Sequence, residues 1–414
     1  MSDACRAQTT CIVCDAQTRP LLDLDRQPLA NVLLGDATQA SQAYPLGLAV
    51  CPRCTHGQLT HFLGPVALFR DYLYASGTSG TLRAYFRWFA AALGRCVRPG
   101  ARVLEIASND GSLLGCLADE GFDVTGVDPA DNLNQLAVAA GRKVLTGFFP
   151  DTRPDGRSDV VIAMNVAAHT PAPLQFLEGV AGVLAPGGVA IIQTSQALMI
   201  GNGEFDTVYH EHYSFFTVAS MRTLAARAGL RVEAVRLVSV HGVSFMFVLR
   251  RADETGPAIP FVGDPTFAVA WPDPAPAFLS PEFAGSHADA AYAAFAAKAK
   301  RSMGEVAARV REHKAQGRQV ALVGVAAKAL TFIRAAGIVP DIYLDEAALK
   351  VGRLVPGAAT SIAPLSSIAT STRDTVFLIG AWNFADELIA KIKSFNLAFE
   401  STFLIHFPQL RELR

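Results

Sequence analysis

The chain has 414 residues, of which 51% are hydrophobic and 18% charged, and a formal net charge of -1. That length and apolar content describe a globular protein of two or three domains, and the near-neutral balance excludes the basic footprint of a nucleic-acid or membrane-surface partner. No apolar run reaches the roughly eighteen residues of a spanning helix, and Met1-Ser2-Asp3-Ala4-Cys5-Arg6 lacks a signal-peptide core, so a cytoplasmic location is the expectation.

The first element in chain order is a pair of CxxC knuckles, Cys11-Ile12-Val13-Cys14 and Cys51-Pro52-Arg53-Cys54, separated by thirty-six residues of turn-rich sequence. Four thiolates in two knuckles can close a tetrahedral zinc site, which replaces a hydrophobic core in a segment of this size. A closed four-sulfur shell leaves no open position for a substrate, so Cys11, Cys14, Cys51 and Cys54 read as a structural site. Cys5, Cys96 and Cys116 need no role.

Next comes Asp71-Tyr72-Leu73-Tyr74-Ala75-Ser76-Gly77-Thr78-Ser79-Gly80-Thr81, a loop by its Ser, Thr and Gly content, then an amphipathic helix from Leu82 to Leu93. The tyrosines read equally well as part of a lid or as packing residues. Tyr85, Phe86, Trp88 and Phe89 are expected to pack on the domain behind the helix.

A strand, Arg102 to Ala107, then runs into the turn Ser108-Asn109-Asp110-Gly111 and a helix from Ser112; a second strand, Asp123 to Val127, ends in Asp128. Strand, turn, helix, strand and acid form the pattern of a nucleoside-binding crossover, in which the acid accepts bonds from both ribose hydroxyls. A dinucleotide site would want a glycine-rich pyrophosphate turn, and only Gly111 is a glycine here. With Glu105 ahead of the turn, S-adenosylmethionine, which has no phosphate to cradle, fits better. Strands follow at Asp159 to Asn165 and Gly187 to Ile192, the latter preceded by the turn Leu184-Ala185-Pro186-Gly187-Gly188, a frequent mark of class I methyltransferases. Glu105, Ala107, Ser108, Asn109, Asp110, Gly111, Asp128, Asn165 and His169 are the candidate cofactor residues.

Tyr209-His210-Glu211-His212-Tyr213 packs two imidazoles, a carboxylate and two phenols into five residues, beyond the last of these strands. On a parallel sheet that is the carboxyl edge, where ligands bind. Histidine titrates near neutral pH and suits the removal and return of a proton; the alternative is a charged surface turn with incidental histidines. A helix from Val218 to Ala228 and strands at Arg231 to Val238 and Ser244 to Arg250 follow, with His241-Gly242 turning between them.

Seven prolines between Gly256 and Pro281 mark a boundary. A helix is expected from Ser286, as N-cap, to Gln316. Strands at Gln319 to Val323, Asp341 to Asp345 and Thr375 to Ile379 then form a second doubly wound half, and a cleft between the halves is the natural pocket. Lys328 and Lys350, near such turns, could hold a diphosphate or simply be solvated charges. The fold class is α/β, divided into a zinc-binding segment 1–70, a central Rossmann-like domain 71–255 and a second Rossmann-like domain 256–414.

The chain resembles the zinc-containing sugar C-methyltransferases of deoxysugar biosynthesis, including the nucleotide-sugar C-3 methyltransferases of antibiotic pathways. The resemblance rests on the double CxxC, Gln27-Pro28-Leu29-Ala30-Asn31, Leu104 to Gly111, Glu204-Phe205-Asp206-Thr207 leading into Tyr209-His210-Glu211-His212, the turn from Lys350-Val351-Gly352-Arg353 to Pro356-Gly357, and Ala381-Trp382-Asn383-Phe384. It implies a C-terminal domain that helps hold a nucleotide-sugar, with Tyr72, His241, Lys328, Lys350, Trp382 and Asn383 on the substrate side. It also implies a base, His212 with His210 as the close second, that removes the proton beside a 4-ketone to give an enolate for methylation. Tyr209, Glu211 and Tyr74 would position the sugar or its enolate. Three departures stand out: Ala107 replaces a family glycine, His241-Gly242-Val243-Ser244-Phe245-Met246 loses a family arginine, and the family's Gly-Tyr-Gly-Ala turn becomes Val323-Gly324-Val325-Ala326-Ala327. Methylation of oxygen, nitrogen or a non-sugar ketone, and a non-catalytic zinc-stabilised module, are the alternatives. The oligomeric state is left open by the sequence.

Overall fold

The computed structural model describes residues 5–36, 38–69, 75–195, 197–255 and 266–414. The lid tyrosines Tyr72 and Tyr74 lie outside the described residues.

The N-terminal segment is a small antiparallel sheet. Strands β1 (Arg19–Pro28), β2 (Ala43–Val50) and β3 (Gly57–Leu59) pair in order. They are short and interrupted by bulges, and the segment's apolar residues, such as Leu22, Leu48 and Phe62, are shared with a cluster that extends into the rest of the chain. Helix α1 (Gly80–Gly94) is capped by the Ser79 side chain, which accepts from the Leu82 backbone N–H. The Tyr85 and Phe89 side chains are buried and Phe86 nearly so, packed with Val103 and Val160 of the central sheet, while Trp88 is only partly covered.

The central sheet is built from β4 (Arg102–Ile106), β5 (Asp123–Asp128), β6 (Val144–Thr146), β7 (Ser158–Met164) and β8 (Leu184–Thr194), all parallel. Helices α2 (Ser112–Asp119) and α3 (Pro173–Val183) belong to the crossovers. The expected turn before the last strand is taken into it: β8 begins at Leu184 and its register slips between Leu184 and Val189, with Gly187 supplying a left-handed φ of 72°. Near-continuous apolar runs, such as Val160 to Ala163, fit strands covered on both faces.

After β8 the chain leaves the sheet. The two-residue strand β9 (Ser214–Phe215) pairs with β3 of the N-terminal segment, so the segment that carries the histidines is stitched to the zinc sheet. Helix α4 (Val218–Arg227) opens with a capping box between Thr217 and Ser220. Strands β10 (Leu230–Val238), β11 (Ser244–Arg251) and β12 (Ala268–Val269) complete the sheet antiparallel, in the order β12-β10-β11-β8-β7-β4-β5-β6. The order reverses at β4, between β5 and β7, which is the switch point where a ligand crevice opens.

Helix α5 (Gly285–Ala315) starts one residue before the expected cap. Ala284, not Ser286, holds the N-cap position and makes no side-chain bond, and Gly285 after it turns the chain into the helix through a left-handed φ of 57°. The C-terminal sheet comprises β13 (Gln319–Val323), β14 (Ile342–Asp345), β15 (Ala363–Pro364), β16 (Thr375–Ile379), β17 (Thr402–Ile405) and β18 (Arg411–Leu413). Its order is β15-β14-β13-β16-β17-β18, parallel except for β18. Helix α6 (Ala327–Ala335) follows β13 directly, so the N-terminus of α6 lies at the carboxyl edge of this second sheet. No helix among the described residues is long and apolar enough to cross a membrane.

Candidate active site

The four knuckle thiols converge. All four Sγ atoms lie within 4.8 Å of one another, with Cys11 to Cys54 at 3.6 Å and Cys14 to Cys51 at 3.5 Å, and all four residues are buried. A tetrahedron of sulfurs about 2.3 Å from zinc has edges of about 3.8 Å, so the donor set fits the metal in number, type and size. The backbone N–H of Val13 points at the Cys11 sulfur, 3.4 Å away, as expected where a thiolate needs a donor.

The carboxyl edge of β4, β5 and β7 opens into a cavity of about 590 Å³ that reaches the C-terminal sheet. The turn after β4 runs through left-handed positions at Ala107 (φ 56°), Asn109 (φ 51°) and Gly111 (φ 73°). The Ala107 N–H donates to the Val127 carbonyl at 2.7 Å, which fixes the turn against β5. Asp128 ends β5 with one carboxylate oxygen accepting from Asn109 N–H (2.9 Å) and the other from Ala130 N–H (2.8 Å). Each oxygen keeps a second lone pair for a ligand. Burial pushes the Asp128 carboxyl up, and the two N–H bonds pull against that. Asn165 (φ 58°), just past β7, presents a buried Oδ1 with no hydrogen-bond partner among the described residues.

An acid that still has lone pairs at the end of β5, an unpaired amide acceptor at β7 and a backbone turn between them are a donor and acceptor set that fits S-adenosylmethionine. Glu105 is fully buried behind the turn and does not line the cavity; burial, with Asp128 and Asp110 beside it, holds its carboxyl well above the usual range. Ser108, Asp110 and Gly111 also stay out of the lining. Asp110 serves the turn differently: its Oδ2 accepts from Gly77 N–H at 2.7 Å while Asn109 Oδ1 accepts from Ser76 N–H at 2.9 Å. The loop ahead of α1 is thereby clamped onto the cofactor turn. A Cβ at Gly77 would come within 2.2 Å of Ser112 Oγ and 2.7 Å of Asp110 Oδ2, so this close approach requires glycine.

Tyr209 and His212 line the same cavity, as do His169 and His241. His212 Nδ1 lies 2.8 Å from the Thr207 carbonyl oxygen, and its Nε2 lies 2.9 Å from the Tyr209 hydroxyl. A carbonyl can only accept, so Nδ1 carries the proton and Nε2 presents a lone pair. Burial holds His212 well below the usual imidazole range, helped by His169, Lys328 and His241 and opposed by the Thr207 bond. His169 packs edge-on to it with ring centres 4.6 Å apart and is itself pushed down to about 4 by burial.

The neighbours in the motif face elsewhere. His210 is buried against Tyr44 of the N-terminal segment, ring centres 6.1 Å apart, and lies outside the cavity lining. Glu211 also points to that segment, where Asn31 Nδ2 donates to both of its oxygens at 2.7 and 2.6 Å. Four consecutive residues thus serve two purposes: Tyr209 and His212 face the cavity, and His210 and Glu211 lock the segment to the zinc sheet.

From the C-terminal half, Lys328, Lys350, Ala381, Asn383 and Phe384 line the cavity. Lys350 is tethered, its Nζ 3.2 Å from Asp345 Oδ2 and 3.0 Å from the Val325 carbonyl. Trp382 is not in the lining; its indole N–H donates to Asp206 Oδ2 at 2.8 Å. Sequence reasoning passed over several contributors. Gln193, in the wall, accepts from the Tyr85 hydroxyl. Thr207 and Asp206 were quoted as part of a motif but given no role, although their place just before Tyr209 was a signal available in the sequence.

The doubly wound central sheet with its β5 acid, and the cavity at its carboxyl edge, define an S-adenosylmethionine-dependent methyltransferase fold preceded by a four-cysteine metal centre. Comparison with known families gives the same order along the chain: residues 11–69 match a "Putative zinc binding domain", residues 78–235 a methyltransferase domain, and residues 278–408 a C-methyltransferase C-terminal domain. The three matched segments together follow the domain order of a zinc-containing C-methyltransferase. It is 29% identical to the C-methyltransferase NovU of Streptomyces niveus over 99% of this chain and 98% of that one. A ubiquinone biosynthesis O-methyltransferase of Caulobacter is 37% identical over 24% of this chain and 43% of its own length. Among solved structures, the complex of the Haloferax volcanii Trm112 activator with its methyltransferase matches 42% of this chain and 92% of that chain at 20% identity, with a TM-score of 0.36.

Proposed function

We propose that the protein methylates a carbon next to the ketone of a nucleotide-linked 4-keto-deoxysugar, with His212 as the base. The observation that carries this reading is the His212 geometry: an imidazole whose Nδ1–H is committed to the Thr207 carbonyl and whose Nε2 lone pair faces a cavity shared by the two doubly wound halves. The Tyr209 hydroxyl at that lone pair marks the place where an acidic C–H of the acceptor arrives. Burial keeps His212 uncharged, hence ready to accept a proton.

In this reading His212 Nε2 takes the proton, the C–H pair moves between the two carbons, and the ketone π pair moves onto oxygen. Tyr209, freed from Nε2, becomes a hydroxyl donor beside the acceptor. S-adenosylmethionine, when bound, supplies an electrophilic methyl group. Asp128 and Asn165 orient that cofactor, and the burial of the site excludes water from the enolate. With that cofactor bound, the carbon would take its methyl group, the methyl–sulfur pair staying on sulfur as a neutral thioether leaves, and the C=O bond would re-form.

The division of labour follows the three segments 1–70, 71–255 and 256–414, with the last holding the nucleotide end of the acceptor through Lys350 and Asn383. Tyr74 and Glu211 are assigned no direct contact with the reacting atoms. The test is mass spectrometry of a panel of nucleotide-linked 4-keto-deoxysugars incubated in deuterated water, with and without S-adenosylmethionine. Deuterium at the carbon beside the ketone without cofactor, and a methyl gain there with it, are the expected results. Neither deuterium nor methyl across the panel, with the cofactor still bound, would move the acceptor to another class, and a methyl gain on oxygen would replace the carbon reading.

A further inference from the structure

One group at the cavity wall, Lys328, is expected from the sequence on the substrate side without a defined contact. The Lys328 ammonium is shielded from solvent and, among the described residues, has no hydrogen-bond partner. A buried cation costs several kcal/mol unless something compensates it; the Glu204 carboxyl supplies part of that compensation without a hydrogen bond to Nζ, which leaves the ammonium's donors available to a charge that arrives in the cavity. Lys328 sits at the start of α6 in the cavity lining. The Trp382 ring lies 5.2 Å from Nζ to its centroid, and the ammonium acts electrostatically on the buried Glu204 carboxyl and on the His212 and His241 imidazoles.

The ring under Lys328 is held in place. Trp382 donates its indole N–H to Asp206, which is fully buried and whose Oδ1 has no partner among the described residues. His406 Nε2 stands 3.7 Å from the same Asp206 Oδ2. Asp206 immediately precedes Thr207, whose carbonyl orients His212. A single stretch of backbone therefore fixes the base on one side and, through Trp382, the ammonium on the other. Lys350, paired with Asp345 and assigned to the nucleotide end of the acceptor, takes no part in that arrangement.

We infer that Lys328 is the electrostatic contact for the negative charge that develops on the acceptor oxygen as His212 removes the carbon proton, and that Asp206 and Trp382 are positioning residues that hold the ammonium there. This rests on the enolate reading above. The balance is complete: the proton leaves carbon for His212 Nε2, the electron pair ends on oxygen beside Lys328, and no oxidant or reductant enters. A fixed cation in a site shielded from water stabilises such an oxyanion more than it stabilises the neutral ketone. It also disfavours a second positive charge nearby, which agrees with its part in lowering His212. Among the described residues, the polar and charged groups acting on His212 include Tyr209, the Thr207 carbonyl and hydroxyl, His169, His241 and Lys328.

The test uses the full zinc-loaded chain and the variants Lys328→Met, Lys328→Arg and Trp382→Phe. Exchange of the acceptor proton into deuterated water without cofactor should fall roughly 10²- to 10³-fold in Lys328→Met, recover in part in Lys328→Arg, and fall by a smaller factor in Trp382→Phe, which keeps a ring but loses the bond to Asp206. The dissociation constant of thymidine diphosphate, measured by calorimetry, should stay within about threefold of the parent. If exchange is unchanged in Lys328→Met, or if thymidine diphosphate binding is lost while exchange at saturating acceptor survives, Lys328 is a diphosphate contact and the inference is overturned. If the parent protein exchanges no acceptor of the panel, the sugar reading fails on its own account. Imidazole titration by NMR on the substrate-free protein then decides this inference separately: the His212 resonance must titrate at higher pH in Lys328→Met than in the parent, and an unmoved titration overturns it.

Discussion

The Nδ1–H of His212 is bonded to the backbone carbonyl of Thr207 at 2.8 Å, five residues upstream, and that one bond decides which imidazole nitrogen can act. It leaves Nε2 for the Tyr209 hydroxyl in the substrate-free protein and for an acceptor proton during turnover. His212→Ala is expected to lower methyl transfer by about 10² to 10⁴ while leaving S-adenosylmethionine affinity within about threefold, because the bonds that hold His212 run to Thr207 and Tyr209 rather than to the turn after β4 or to Asp128. Single-turnover kinetics alongside calorimetry would read both; full transfer activity in His212→Ala would return the role to another base.

The acid limb of the pH profile follows from the same residue. His212 must be unprotonated to accept, and its folded value lies well below 6.5, so kcat/KM should stay flat as pH falls through 6.5 and drop only in more acidic solution. An acid limb centred at 6.5 or above in the parent protein would contradict the buried, neutral imidazole described here.

Ala107 holds a left-handed φ of 56° on the cofactor turn. A Cβ in that region costs about 1–2 kcal/mol, and glycine returns about 0.5–1 kcal/mol of backbone entropy to the unfolded chain. Ala107→Gly should therefore raise stability by about 0.5–1 kcal/mol, read as a higher denaturant midpoint at constant slope. A lower midpoint would mean that the Ala107 methyl packs better than its backbone suffers.

The clamp between the loop before α1 and the cofactor turn depends on Gly77. In Gly77→Ala the new Cβ would meet Ser112 Oγ at 2.2 Å and Asp110 Oδ2 at 2.7 Å; Ser112 can rotate away, but Asp110 Oδ2 is the acceptor of the Gly77 N–H, so that bond is expected to lengthen. Cofactor affinity should fall by about tenfold, roughly the 1.4 kcal/mol of one net hydrogen bond, with thermal stability much less affected. Unchanged affinity would show that the clamp has no bearing on the cofactor.

Removal of the metal should reach the active site through the N-terminal sheet. Asn31 of that segment holds Glu211, and β9 pairs with β3, so a chelator or Cys54→Ser is expected to lower the thermal midpoint by at least several degrees and to reduce turnover together with it. Metal content by mass spectrometry should be one zinc per chain before treatment. Full activity in a metal-free chain would detach the zinc segment from the histidine stretch.

The sequence by itself determined the local elements. The knuckle spacing, the apolar strands that end in Asp128 and Asp345, the Ser108 to Gly111 turn and the density of titratable groups from Tyr209 to Tyr213 are all short-range signals, and each element formed within a few residues of where its pattern placed it. Strand edges were the weak point: periodicity marks the buried centre of β8 but not the bulge at its start, where glycines let the chain shift register. The start of α5 differs in a similar way: the chain enters the helix through the left-handed φ of Gly285, one residue before the cap expected at Ser286.

Only the tertiary structure decided which way the side chains face. His210 and His212 are equivalent on paper, but the segment carrying them has no regular period, and its orientation is fixed by long-range partners: Thr207 and Tyr209 on one side, Asn31 and the zinc sheet on the other. The same holds for Trp382, read as a substrate residue and found bonded to Asp206, 176 positions away in the chain. Lys328 differs from Lys350 only through its surroundings, one ammonium paired with a carboxylate and the other shielded without a partner among the described residues. Charge, reach and residue type are written in the sequence; burial and pairing are properties of the packed chain, and it is these that set which of the groups can do chemistry.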